Sequence, residues 1–242
     1  MVFISHSLII IPTRLASTRL PRKPLADING KPMIQRVWEC SRKATCDVLI
    51  ASGDQEICDI SDRFGARSVL TNPDHPSGSD RIYEALKTFD PDKHYNIIIN
   101  YQGDIPAFDA SILTKATDHL NQSKADILTF ITKLDPSQYN NPNDVKAMVE
   151  NPGGSGKALS FSRHFSSESE GHPFYHIGLY LYKREALEKF VHAKPTTLEK
   201  EEKLEQLRAL SLGLTIETYY IDEIPLGVDT PEDLEKARKL LK

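Results

Sequence analysis

The chain has 242 residues, 39% hydrophobic and 26% charged, enough for one large or two small soluble domains with a real core. A formal net charge of -4 excludes a global field that would draw it to nucleic acid or to an anionic membrane. Cys40, Cys46 and Cys58 are too few and too irregularly spaced for a disulfide framework or a structural zinc site, and the apolar run 8–11 stops at Pro12, far short of a membrane span or signal segment, so the expectation is a cytoplasmic protein with reduced thiols.

The first element is "SLIII", a short apolar run closed by Pro12, which reads as a fully buried strand. Directly behind it Arg14, Arg19, Arg22 and Lys23 crowd beside Ser17 and Thr18. Like charges this close repel, so a strongly anionic partner is the natural reason to collect them. Asn29-Gly30 then makes a turn, Pro32 suits an early helix position, and Ile34, Val37 and Trp38 recur at helical spacing. "DVLIAS" is the next strand, followed by a helix "DQEICDISDRFG" with Ile57, Ile60 and Phe64 on one face and Gly65 as its stop, then the strand "RSVL". Strand–helix–strand–helix–strand implies right-handed crossovers and a largely parallel sheet.

The pattern continues with a helix near 79–88, the strand "YNIIINY", a helix near 109–122 and the strand "ADILTFITK". A polar, proline-rich stretch leads to "VKAMVE" and "ALSFSR", read as paired strands around the turn "NPGGSG". "HFSSESEGHP" is a polar candidate for a mobile loop. "HIGLYLYK" reads as a strand, "REALEKFV" as a helix, "TLEKEEKLEQLRAL" as one charged helix, and "TIETYYI" as the strand before the last helix. That helix starts legibly: Thr230 can cap, Pro231 takes the first helical position, and Asp233 falls three after the cap. The economical organisation is a single domain over 1–242 with a region inserted at roughly 130–210.

In an open parallel sheet ligands bind at the carboxyl edge, where the loop carrying Arg14 and Lys23 emerges. Converging cations and turn amides there suit a triphosphate, although neither phosphate-binding glycine motif is present, and a solvated basic turn is the alternative. Asp104 closes a strand of three isoleucines, with Gly103 permitting close backbone approach; it suits Mg²⁺, a hard ion held by one or two carboxylates plus phosphate oxygens, or it merely caps the segment after Pro106. Asp229 precedes a helix whose cap Thr230 already supplies, leaving its own side chain available. Asp104 and Asp229 can flank one metal only if the fold unites their strands.

"IIIPTRLASTRLPRKPLADINGKPMIQRV", "SGSDR", "NYQGDIP", "NPNDVKAMV", "HIGLYLYK", "EEKLEQLR" and "GVDTPEDLE" occur in this order. Together, from about Leu8 to the C-terminus, they resemble the 3-deoxy-manno-octulosonate (Kdo) cytidylyltransferases. "GKPM" recurs in many nucleotidyltransferases, whereas "EKLEQLR" with "HIG" and "GVDTPEDLE" is specific. The resemblance implies an α/β nucleotide-diphospho-sugar transferase-like three-layer fold, with a mostly parallel central sheet and a smaller inserted strand region for sugar binding and dimerisation. It implies a homodimer that makes CMP-Kdo and pyrophosphate from CTP and Kdo, with Mg²⁺, for lipopolysaccharide biosynthesis.

By the same resemblance Arg14 and Lys23 match the triphosphate-binding loop, with Pro12 at its start. Ser77, Gly78, Ser79, Asp80 and Arg81 match the segment around cytosine and ribose, joined by Gln102. Asp104 and Asp229 match the magnesium-holding carboxylates, which with Arg14 and Lys23 make the catalytic set. Gln102, Arg163, His176, Tyr180, Glu205 and Gln206 match positions lining the sugar-acid pocket. Taken singly, each has an ordinary reading: Arg81 pairing with Asp80 or Glu84 on a wet helix, His176 satisfying a carbonyl, Tyr180 in the core, Glu205 and Gln206 on a solvated face.

Three features depart from the family pattern. Arg22 stands where glycine is common and opposes a left-handed backbone; Ile105 stands where glutamate is usual; the segment between Arg163 and His176 is short. The rival readings are a nucleotidyltransferase making CMP-sialic acid or a sugar-1-phosphate product, and a non-catalytic nucleotide-binding regulator. An interaction module has least support, since no exposed apolar stripe or repeat is visible.

Overall fold

Isoleucines and leucines in unbroken runs demand cover on both faces, and they receive it. The computed structural model describes residues 6–44, 46–165 and 170–242. In chain order the elements are β1 (Ser7–Thr13), β2 (Asp27–Ile28), β3 (Lys31–Pro32), α1 (Met33–Ser41), β4 (Asp47–Ser52), α2 (Gln55–Arg63), β5 (Arg67–Leu70), α3 (Gly78–Phe89), β6 (Ile97–Asn100) and α4 (Ser111–Gln122). Then come β7 (Ile127–Lys133), β8 (Lys146–Val149), β9 (Gly156–Ser162), β10 (His172–Lys183), α5 (Arg184–His192), α6 (Thr197–Glu202), α7 (Gln206–Ser211), β11 (Ile216–Tyr220) and α8 (Pro231–Leu240). The chain divides into two compact units: one runs up to Asp118 and resumes over Pro225–Lys242, the other is His119–Ile224.

In the first unit the strands lie in the order β5-β4-β1-β6, and every neighbouring pair is parallel. Leu8, Ile9, Ile10, Ile11, Leu49, Ile50, Ile98 and Ile99 are wholly buried, as strands sandwiched between helices require. All four strands point the same way, so the loops after β1 and β6 leave from one carboxyl edge. Asn29 and Gly30, both at positive φ (52° and 81°), make the two-residue β2–β3 hairpin. The Asn29 amide donates to the Arg238 carbonyl (2.8 Å) and Arg238 Nε donates to the Asp27 carbonyl (2.9 Å), which ties α8 to that hairpin.

The second unit is mixed, not parallel. β10 pairs antiparallel with both β7 and β8, β11 lies parallel to β7 and antiparallel to β9, and β8 pairs with β9, which closes a ring of five strands. The twelve-residue β10 makes this possible: its first residues pair with β8 and nearly its whole length runs along β7, with an irregularity between Ile177 and Tyr180. The single charged helix read over 197–210 is two short ones. Lys203 takes a left-handed conformation (φ 56°), which breaks the helix and turns Leu204 into the core.

The break brings a buried pair together. Arg208 donates from Nε to Glu199 Oε2 (2.8 Å) and from Nη2 to Oε1 (2.5 Å), with its guanidinium 4.5 Å over the Phe190 ring. Nine residues apart in one continuous helix, the two side chains would stand about 180° apart and never meet. Of the polar run 164–173 expected to form a mobile loop, residues 166–169 lie outside the described residues.

Candidate active site

Asp104 and Asp229 are 125 positions apart and meet at one amine. An antiparallel bridge joins Ala107 to Leu226, and the Val228 N–H donates to the Asp104 carbonyl (2.8 Å), so the stretch after β6 lies alongside the stretch before α8. Lys23 Nζ then donates to Asp104 Oδ2 (2.7 Å) and Asp229 Oδ1 (2.9 Å), and Arg19 Nη2 stands 3.1 Å from the same Asp229 oxygen. Burial works to lower the Lys23 pKa; the charge and hydrogen bonding of Asp104, and then of Asp229, outweigh it and raise the pKa, so the ammonium stays charged. The α8 cap is made by Thr230 and Asp233 in a reciprocal capping box, which leaves the Asp229 carboxylate to the two cations.

The neighbours of Asp104 fix its place. The wholly buried Tyr101 hydroxyl donates to the Ile105 carbonyl (3.1 Å), and burial pushes that phenol well above its ordinary pKa. At Gly103 a Cβ would lie 2.8 Å from the Pro12 carbonyl oxygen, so only glycine lets this backbone pass the end of β1. Ile105 is packed inside, with no carboxylate to add to the pair.

The basic loop is anchored to α2. Leu15 N–H donates to Asp54 Oδ2 (2.8 Å), and Arg22 pairs with Glu56 (2.5 Å). Arg22 adopts the left-handed conformation (φ 54°, ψ 35°) that its side chain was expected to oppose, at a cost of about 1 kcal/mol, and its carbonyl accepts from Leu25 N–H (2.9 Å) to close a turn of 3₁₀ helix over Lys23–Leu25. Arg14 and Arg19 are exposed on the same loop, Arg19 with its guanidinium on Asp229.

Ser77 caps α3, accepting from Asp80 N–H (3.2 Å) and donating to the Asp80 carboxylate (2.7 Å). Gly78 sits against the Pro12 ring, where a Cβ would find ordinary contact at 3.5 Å, and Ser79 is buried in the first turn. Arg81 does not pair with Asp80 or Glu84 on a wet face. It is 3% exposed and donates to Thr71 Oγ1 (2.6 Å) and the Pro73 carbonyl (3.3 Å), bracing the loop after β5. Its burial, and secondarily Arg14, lower its pKa. The Gln102 amide donates to Asn100 Oδ1 (3.1 Å) at the end of β6. The first unit thus gathers Pro12, Arg14, Lys23, residues 77–81, Gln102, Asp104 and Asp229 on the loops and strand ends of its carboxyl edge.

The second unit holds the other candidates. His176 is buried on β10, its Nε2 2.9 Å from Thr129 Oγ1 and its ring edge-on to Phe161 and tilted against Tyr180. Burial drives its pKa down to about 3, so it is neutral. Burial likewise pushes the Tyr180 phenol well up, with Tyr182 and Glu205 adding to the shift. Arg163 donates to the carbonyls of Glu202 (3.1 Å) and Pro142 (3.1 Å). Glu205 precedes α7 as its N-cap, and Gln206 is buried in its first turn. Two cations are not marked out as site candidates by sequence. Arg19 is one of several loop arginines with nothing local to single it out. Lys146 is 1% exposed and donates to the carbonyls of Asp144 (2.8 Å) and Arg163 (2.9 Å) as well as Asn141; its signals are its place in "NPNDVKAMV" and a lysine opening the apolar run "AMV".

A cytidylyltransferase family model matches residues 8–216, and the chain belongs to that family. The particular relatives are narrower. The chain is 47% identical to the 3-deoxy-manno-octulosonate cytidylyltransferase of Parvibaculum lavamentivorans over 98% of this chain and 93% of that protein. It is 48% identical to the enzyme of the same name from Rhodospirillum centenum, again over 98% and 93%. Among solved structures it superposes on a CMP:2-keto-3-deoxy-manno-octonic acid synthetase complexed with CTP with a TM-score of 0.86 at 33% identity, covering 97% of this chain and 98% of that one. A glucose-1-phosphate thymidylyltransferase from Bacillus anthracis, described as putative, shares the fold at a TM-score of 0.65 and 16% identity, covering 97% and 94%. Among the described residues no helix is long and apolar enough to cross a membrane.

Proposed function

We propose that this protein transfers the cytidylyl group of CTP to 3-deoxy-manno-octulosonate, releasing pyrophosphate and supplying CMP-Kdo for lipopolysaccharide biosynthesis. The observation that carries the reading is the meeting of Asp104 and Asp229 at Lys23, beside a loop rich in arginine. The anomeric 2-hydroxyl of the sugar acid attacks the α-phosphorus and gives up its proton to water; an oxygen–phosphorus bond forms as the α–β phosphoanhydride breaks, and pyrophosphate leaves with the bridging oxygen. Negative charge grows on the phosphate oxygens, where Arg14, Lys23 and Arg19 supply positive charge from a fixed loop.

The residues fit a divalent cation such as Mg²⁺. Two carboxylates already converge on one small cationic group, and no cluster of three or more His, Cys, Asp or Glu offers a rival all-protein cage among the described residues. Asp104 and Asp229 would hold the ion, whose chemistry is to neutralise phosphate charge and lower the pKa of a nearby hydroxyl, so that no dedicated base is needed. Arg163, His176, Tyr180, Glu205 and Gln206 keep the sugar-acid roles that the family resemblance implies. His176, neutral across the working range, serves there as a hydrogen-bonding group and not as a charge. The family resemblance also implies a homodimer.

Pyrophosphate release with CTP, Mg²⁺ and Kdo, omitting each in turn and replacing CTP by UTP or Kdo by sialic acid, tests the assignment. Asp104→Asn is expected to cut turnover at least about 100-fold with the fold retained in a thermal melt. Near-normal turnover in that variant overturns the role of Asp104, and release without Kdo overturns the reaction.

A further inference from the structure

Lys23, Arg19, Asp104 and Asp229 form a closed charge set, two positive and two negative, within contacts of 2.7 to 3.1 Å. The side chains meant to grip phosphate are spent on the carboxylates meant to grip metal. We propose, building on the transferase reading, that this set is a latch: Lys23 and Arg19 occupy Asp104 and Asp229 until a divalent cation and a triphosphate arrive together, whereupon both side chains transfer to phosphate oxygens and release the carboxylates to the cation.

Charge matching is the reason neither ligand opens the latch alone. A divalent cation entering by itself must sit beside a lysine whose side chain is 17% exposed and whose ammonium has lost its anionic partners. A triphosphate entering by itself must strip two cations from carboxylates that are then left facing it unpaired. With both present the carboxylates face the divalent cation while Lys23 and Arg19 face phosphate oxygens, so each ligand relieves repulsion that the other would meet and lowers the cost of binding it. Such coupling is reciprocal.

The backbone allows the exchange without refolding. The loop is pinned on either side of Arg19, by Leu15 to Asp54 and by Arg22 to Glu56, neither of which belongs to the carboxylate pair. The Arg19 side chain is 66% exposed, so it can swing while the backbone stays pinned. A latch of this kind also keeps two carboxylates from repelling each other in the resting protein, which accounts for Lys23 bridging both oxygens and not choosing one.

The test uses the full chain and two variants, Lys23→Met and Arg19→Gln. Mn²⁺ alone is titrated by electron paramagnetic resonance, CTP alone is titrated in chelator by calorimetry, and CTP is titrated again with Mn²⁺ after correction for their complex in buffer. In the wild type Mn²⁺ is expected to tighten CTP about 5- to 150-fold beyond that correction. Lys23→Met is expected to bind Mn²⁺ alone about tenfold or more tightly than wild type and to lose most of the coupling. Arg19→Gln, at an exposed position that folding tolerates, should shift Mn²⁺ binding in the same direction by less. Unchanged or weaker Mn²⁺ binding in both variants, with normal CTP binding in the wild type, overturns the latch and leaves the transferase reading standing. Absence of CTP binding to the wild type under every condition overturns both.

Discussion

Replacing Gly103 by alanine asks how tightly the position of Asp104 is built. The new Cβ would lie 2.8 Å from the Pro12 carbonyl oxygen, with Thr13 Cβ at 3.5 Å and Ile11 Cγ2 at 3.7 Å closing the routes of retreat. A carbon–oxygen contact wants about 3.3 Å or more, so the end of β1 and the turn after β6 must separate by about 0.5 Å. The obstacle is backbone and cannot rotate away. Overpacking of this kind costs about 1–3 kcal/mol, or roughly 2–10 °C of melting temperature for a chain this size. The catalytic penalty is separate. Asp104 is the next residue, and if misplacement by 1 Å costs about 100-fold, half that shift costs about tenfold in turnover. Thermal melts beside pyrophosphate release measure the two, with Gly178→Ala as control because no atom lies within 4 Å of its added Cβ. Gly103→Ala with the melting temperature and turnover of the wild type would refute the packing argument.

The buried His176 has a folded pKa of about 3 against an ordinary 6.5, so the unfolded chain binds the extra proton first. Its contribution is full above pH 6.5 and is lost as pH falls below it, by about 1.4 kcal/mol per unit, and His176→Asn should flatten the decline of stability between pH 6.5 and 4.5; an unchanged slope counts against the burial. Arg81→Met removes two hydrogen bonds from a buried guanidinium and strands Thr71, costing about 2–4 kcal/mol in urea titration, whereas a loss under about 0.5 kcal/mol would mean the brace carries no load. Lys203→Gly relieves a left-handed residue at an exposed helix end and is expected to stabilise by about 0.5–1 kcal/mol; destabilisation would show that the lysine side chain, not the turn, matters there.

Much of the first unit is readable because its signals are local and repeated. Runs such as Leu8–Ile11 and Ile97–Ile99 admit few alternatives to buried strands, and Thr230, Pro231 and Asp233 spell a helix start in three residues. The second unit resists for a different reason. Whether β10 runs antiparallel to two strands at once depends on partners far along the chain, which alternation alone does not encode. The break between α6 and α7 falls inside a sequence of good helix formers, and it brings Glu199 and Arg208 together, a contact between residues that no local pattern announces. Arg81 and Lys146 elude a local reading on the same ground: a charged residue is normally wet, and only a full set of buried acceptors makes the exception tolerable.

The site itself divides along this line. Each carboxylate is visible as a residue, one at a strand end beside a glycine and one freed from capping by its neighbour. Their union is not, because it rests on the Ala107–Leu226 bridge and on a hydrogen bond between the backbones of Val228 and Asp104, contacts that any side chains could make. Arg22 carries the argument one step further. Its own preference runs against the left-handed turn it occupies, yet the turn forms, since the loop is tied at Leu15 to Asp54 and at Arg22 to Glu56. The anchors, and not the intrinsic preferences of the loop residues, set its path. That is how one short turn can carry four cations: two are neutralised by the paired aspartates, one by α2, and Arg14 remains in solvent at the mouth of the sheet's carboxyl edge.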